Sequence, residues 1–157
     1  MSDDTETAIL AAGCYWPAEE LLRRGDGVIS TRVGYTGGEL EHPTDANHPG
    51  HAEAVEIVFD PERISYRDIL EYFFQIHRAD LGEDVVGSLY RSEIFYTTEE
   101  QRRVAEETIP DVDAARIWPG KVVTRISKAG PFWEGDCVED QGYFQTPPGR
   151  LHLPPPA

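Results

Sequence analysis

The sequence predicts an α+β fold in which helices lie against a single sheet, and three observations predict it. Apolar runs with strand-like patterning and segments with helical spacing are mixed along the chain, without the strict alternation of a parallel α/β sheet. No internal repeat or interdomain linker breaks the series. At 157 residues the chain is most economically one domain, 1–157, large enough to bury a real core.

Taken in order, residues 1–6 are expected to be disordered, and Thr7 to Ala12 reads as a short buried strand. Gly13 and Cys14 make a turn into a helix from Pro17 to Arg24. Pro17 suits the first helical turn, where a missing N–H costs nothing, and Gly25 suits the end. "GVISTRVGY" is the next strand, "TGGELEHPTDANHPGHA" a long Gly/Pro/Asn-rich loop, and "EAVEIVFD" a clear strand closed by Asp60-Pro61. Ser65 with Asp68 forms a capping box ahead of Ile69, Leu70, Phe73, Phe74 and His77, whose spacing makes one helical face. "LYRSEIFYT" reads as a strand, and Thr98 with Gln101 caps a charged helix through about Glu107. "KVVTRISKA" is the final strand, and residues 145–157 form an irregular Pro-rich tail.

Composition narrows the function. A net charge of −15 disfavours non-specific binding to nucleic acid or to anionic lipid. No window approaches the roughly 18 apolar residues of a membrane helix. The acidic opening lacks the basic and apolar regions of a signal peptide, so a cytoplasmic location is expected. Cys14 and Cys137 are too far apart for a CxxC pair or a zinc spacing. In a reducing compartment they are two thiols or a transient catalytic pair.

Cys14 faces the positive end of a helix dipole and several backbone N–H groups, which favours the nucleophilic thiolate. The same turn would equally suit a buried, inert cysteine. Alternation places Glu53 in one row with Val55, Ile57 and Phe59, where partial desolvation would raise its pKa and let it donate a proton near neutrality. A frayed strand end would instead leave Glu53 in solvent. Tyr15 and Trp16 could line a pocket beside the thiol or simply join the core. Tyr90 lies on a segment whose two faces are both mixed, so alternation does not orient it. His42, Asp45, His48 and His51 fall at three-residue intervals, but in a proline-broken loop with no regular face to converge them, and no metal is expected. A hydrolase pairing Cys14 with one of these histidines is conceivable but carries no family signature.

Taken together, the segments resemble peptide methionine sulfoxide reductase A. The family's Gly-Cys-Phe-Trp-Gly opening, followed closely by Glu, appears as Gly13-Cys14-Tyr15-Trp16-Pro17 with Glu19 and Glu20. "GVISTRVGYTGG", "GHAEAVEIVFDPERISY" and "GSLYRSEIFYTTEEQ" follow in the family's order, so similarity covers about residues 8 to 128. The resemblance implies a two-layer α/β sandwich with a ferredoxin-like plait core. It implies a thiol reductase of methionine S-sulfoxide, peptide-bound or free, that needs no cofactor, is recycled by thioredoxin and works as a monomer. Carried over by position, Cys14 is the nucleophile and Glu53 the acid. Tyr15 and Trp16 hold the substrate methyl group, Tyr90 hydrogen-bonds near the sulfoxide oxygen, and Cys137 is a candidate resolving cysteine.

The chain also departs from the family. Tyr15 replaces a phenylalanine, Pro17 a glycine, Asp45 a tyrosine and Val85 an aspartate, and the C-terminal segment differs around "EGDCVEDQ". Two other readings use the same fold: a thiol redox sensor, and a reductase of a different methyl sulfoxide.

Overall fold

The computed structural model describes residues 4–135. Its core is set by strand alternation. In β1 (Glu6–Ala12), Ala8, Leu10 and Ala12 face one way, and so do Val33 and Tyr35 of β2 (Val28–Thr36) and Val55, Ile57 and Phe59 of β3 (Ala52–Phe59). Onto that face pack Tyr15, Ala18 and Leu22 of α1 (Tyr15–Leu22) and Ile69, Leu70 and Phe73 of α2 (Tyr66–Phe73). Ile94 of β4 (Ser92–Tyr96) joins the same cluster. The opposite face carries a smaller apolar cluster of Ile9, Ala11, Ala52, Ala54 and Phe95.

The order β1-α1-β2-β3-α2-β4 gives neighbours β4-β1-β3-β2, every pair antiparallel. That is the split βαβ arrangement of a ferredoxin-like plait, with β3 inserted between β1 and β2. Two further strands extend it at the edges. β5 (Arg125–Lys128) adds parallel to β4, and β6 (Phe132–Glu134) antiparallel to β2. The two-layer α+β sandwich expected from the sequence is the fold observed.

Local chemistry explains most element ends. The capping box is present, with Ser65 Oγ accepting from the Asp68 N–H at 2.9 Å and Asp68 Oδ2 from the Ser65 N–H at 3.3 Å. Gln101 N–H donates to Thr98 Oγ1 at 3.1 Å to open α4 (Glu99–Ala115).

Five expectations need correction. The helix led by Ser65 stops at Phe73. The chain then tightens into turns, Gln75 N–H to Tyr72 O and Ile76 N–H to Phe73 O, so His77 sits beyond the helix. The helix from Glu99 runs past Glu107 and through Pro110, because Ala105, Thr108 and Val112 continue its buried stripe. Pro110 lies on the exposed side, where water can replace the lost backbone bond. The segment "LYRSEIFYT" is strand only from Ser92, and "KVVTRISKA" only from Arg125 to Lys128. Nor is the latter the last strand. β6 is three residues long and is defined by its pairing with β2, at a place where only glycine fits: a Cβ on Gly34 would stand 2.1 Å from the Trp133 carbonyl oxygen. The short α3 (Glu83–Val86), with no buried residue, carried no periodic signal.

Candidate active site

The site lies at one end of the plait, where β1 hands over to α1. Gly13 takes φ +85°, which turns the chain, and Cys14 is the half-buried N-cap of α1 with extended backbone. This is the placement at a helix N-terminus that the sequence suggested. The next residue ties the turn to the sheet: Tyr15 N–H donates to Glu53 Oε1 at 3.0 Å. Glu53 is 6 % exposed, so its strand end does not fray into solvent.

Glu53 is covered by a segment distant in sequence. Its N–H donates to the Leu89 carbonyl at 2.8 Å, which brings the neighbouring Tyr90 to the mouth of the site. Tyr90 is therefore a turn residue, 42 % exposed, and not the strand residue expected. Partial burial raises the pKa of its hydroxyl, and the nearby charges of Glu53, Cys14 and Asp45 raise it further. The phenol stays protonated throughout the neutral range.

The aromatic floor is larger than expected. Tyr15 is buried and Trp16 half-buried, with ring centroids 6.4 Å apart. Tyr35, in register with Glu53 on the adjacent strand, sets its ring 5.9 Å from Tyr15 and its hydroxyl 3.4 Å from the Tyr15 hydroxyl. His48 stacks on Tyr35 at 5.5 Å. Sequence reasoning missed Tyr35, although the alternation of Val33 and Tyr35 at the end of β2 held the signal.

The histidines of the long loop diverge. His42 lies 4.5 Å from the Trp133 ring, and His48 is on Tyr35. His51 is fully buried, with Nε2–H donating to the Leu40 carbonyl at 2.8 Å and Nδ1 accepting from the Gly38 N–H at 3.2 Å. A carbonyl can only accept, so this ring is the Nε2-protonated tautomer and clamps the loop. Among the described residues no group of three His, Cys, Asp or Glu could hold a metal ion, and no helix is long and apolar enough to cross a membrane. Asp45 and Val85 are both exposed. Cys137 lies outside the described residues.

A plait whose first helix opens on a half-buried cysteine, beside a buried carboxylate and a tyrosine-lined floor, falls among the thiol oxidoreductases. Comparison with known proteins narrows the class. The family model "Peptide methionine sulfoxide reductase" matches residues 6–153, and the chain belongs to that family. The match runs well past residue 128, where the motifs alone fade. A peptide methionine sulfoxide reductase MsrA from Nocardia farcinica is 56 % identical, over 98 % of this chain and 92 % of its own. The solved methionine sulfoxide reductase A of Corynebacterium diphtheriae superposes with a TM-score of 0.76 at 28 % identity, covering 92 % of this chain and 76 % of that one. Mxr1 from Saccharomyces cerevisiae in complex with Trx2 matches with a TM-score of 0.60 at 25 % identity, over 91 % and 89 %.

Proposed function

We propose that the protein reduces the S epimer of methionine sulfoxide, in peptides or as the free amino acid, with Cys14 as nucleophile and Glu53 as acid. The observation that carries this reading is the 3.0 Å bond from Tyr15 N–H to Glu53 Oε1, which fixes a buried carboxyl group one residue from the thiol. A sulfoxide oxygen leaves sulfur only when protonated, so a thiolate and a proton donor must converge on one S–O bond. The Cys14 thiolate attacks the sulfoxide sulfur while Glu53 delivers a proton to the oxygen. The protonated oxygen then passes from the substrate sulfur to the Cys14 sulfur as the bond between the two sulfurs breaks, so the thioether departs reduced by two electrons and Cys14 is left as the sulfenic acid. Tyr90, a protonated phenol at the mouth, donates a hydrogen bond to that oxygen, and Tyr15 with Trp16 receives the methyl group.

A second thiol then condenses with the sulfenic acid, releasing water and forming a disulfide, which a thioredoxin dithiol reduces. The yeast relative's complex with Trx2 supports that donor. Cys137 is our candidate for the second thiol. Every electron comes from a thiol, so the reading assigns no bound cofactor, and a monomer in a reducing cytoplasm suffices.

The test is a single incubation of reduced protein with an S-methionine-sulfoxide peptide and no reductant, followed by intact mass and peptide mapping. Methionine formed together with oxidised Cys14 is the expected result. Folded protein with Cys14 still reduced and no methionine would overturn the reading. A Cys14–Cys137 disulfide assigns the resolving role to Cys137, whereas sulfenic acid at Cys14 alone removes it.

A further inference from the structure

We infer that Arg91 is a positioning residue for the reaction: its guanidinium locks together the three segments that place Tyr35, Glu53 and Tyr90 around Cys14. The inference rests on the function proposed above.

The geometry is that of a buried node. Arg91 is 6 % exposed and pairs through Nε with Glu93 Oε1 at 2.7 Å. Glu93 in turn accepts from Ser127 Oγ at 2.5 Å, so one side of the guanidinium is held by a fixed carboxylate. The other side does something a simple ion pair does not. Arg91 Nη1 donates to two backbone carbonyls from separate segments, Gly50 O at 3.1 Å and Ser88 O at 2.8 Å.

Each contact lies next to a site residue. Gly50 precedes His51 and the entry to β3, three positions before Glu53. Ser88 is two positions before Tyr90, and the intervening Leu89 carbonyl takes the Glu53 N–H. The third segment is the exit of β2, two residues beyond Tyr35. Gly37 takes φ +92° there, and a Cβ on it would stand 2.5 Å from Arg91 Nη2. The Gly37 backbone therefore packs beside the guanidinium with no room for a side chain between them.

A planar fork with donors in several directions can hold two carbonyls and a carboxylate at once, whereas a lysine ammonium is a single point on a flexible stem. Arg91→Lys keeps a charge for Glu93 and loses the bridge. Misplacing a proton donor by about 1 Å costs on the order of 100-fold in rate.

The experiment measures single-turnover methionine formation at saturating S-sulfoxide peptide, alongside thermal melting, for wild type, Arg91→Lys and Arg91→Ala. The expected result is a folded Arg91→Lys whose rate falls by about 10- to 100-fold while the half-saturating substrate concentration moves by less than roughly threefold. Guanidinium ion at millimolar concentration, but not sodium at equal ionic strength, should restore Arg91→Ala by at least about fivefold without raising its melting temperature. A purely structural role would not give that rescue. The inference is overturned if Arg91→Lys retains a rate within roughly threefold of wild type, if activity and melting fall together with no rescue, or if neither variant folds. An inactive wild type would instead sink the proposed function, which keeps the two failures apart.

Discussion

Glu53 and Glu93 are two carboxylates buried to the same degree, 6 % and 4 % exposed, and each is the second residue of its strand. Their surroundings differ. Glu93 meets a guanidinium at 2.7 Å and a serine hydroxyl, so its carboxylate is spent on holding Arg91. Glu53 is oriented by a neutral backbone N–H and sits beside a half-buried thiol and a partly exposed phenol at the edge of the fold. Burial alone therefore does not mark a catalytic carboxyl group. Under the function proposed above, what sets Glu53 apart is its place beside the thiol at the open edge of the fold.

The comparison stands only if the Glu53 end of the sheet is where chemistry happens, and the largest expected effect tests that. Cys14→Ser should abolish methionine formation while leaving the melting temperature within a few degrees, since the side chain is half-buried and nearly isosteric. Any turnover with a sulfoxide peptide, measured by chromatography, would move the site elsewhere.

A crossed pair of variants tests the contrast itself. Glu53→Gln keeps the shape but removes the proton, so turnover should fall by about 100- to 1,000-fold with little change in stability. Glu93→Gln takes the counter-charge from buried Arg91 and should cost on the order of 3 kcal/mol of stability, with turnover of the folded protein within roughly threefold of wild type because the glutamine oxygen still accepts from Arg91 Nε. Denaturant melts and steady-state assays on both variants decide. A Glu53→Gln that loses stability but not activity would erase the distinction.

His77 supplies a third titratable group, half-buried and held in its neutral form. Its Nδ1–H donates to the Phe73 carbonyl and Nε2 accepts from the Ser92 hydroxyl, both at 2.7 Å, and burial pushes its pKa down to about 4. The unfolded chain binds this proton near pH 6.5, so the folded state loses ground as pH falls from 6.5 towards 4 and nothing changes above that range. The loss should total roughly 3 kcal/mol at pH 4. Chemical melts at several pH values should show it, and His77→Gln should flatten that part of the curve. An unchanged slope in the variant would mean that His77 is not the group responsible.

How much of this was legible in the sequence depends on how local each cause is. Alternation put Glu53 on the helix-facing side, and Ser65 and Thr98 announced their helices, because each signal is carried by neighbours in the chain. The burial of Glu53 was not legible, since it comes from the Tyr15 N–H and the Leu89 carbonyl, 38 and 36 positions away. Tyr90 was read as a strand residue because its segment contains no glycine or proline to signal a turn. The turn is closed by Arg91, whose guanidinium holds the Ser88 carbonyl three residues back, and is pinned to the sheet by the distant Glu53 N–H on the Leu89 carbonyl. Arg91 was passed over for the same reason: its importance lies in contacts to backbone, which no residue pattern encodes. The motif resemblance grouped Cys14, Tyr15, Trp16, Glu53 and Tyr90, which the fold brings to one end of the sheet, and it could do so because it carries long-range geometry that composition and periodicity lack.

The smallest effect belongs to Tyr90, and it sharpens the comparison by separating a proton donor from a hydrogen-bond donor. The phenol is partly exposed and its pKa is raised by burial and by the negative groups around it, so it remains protonated across the neutral range. It can donate a hydrogen bond to the sulfoxide oxygen without giving up its proton. Tyr90→Phe should then remove one neutral hydrogen bond in a wet position, lowering turnover by about fivefold, far less than Glu53→Gln. Since the wild-type phenol does not titrate between pH 6 and 9, the shape of the pH–rate profile in that window should be the same in the variant. A profile that loses its alkaline limb in Tyr90→Phe would make Tyr90 the proton donor and return Glu53 to the company of Glu93.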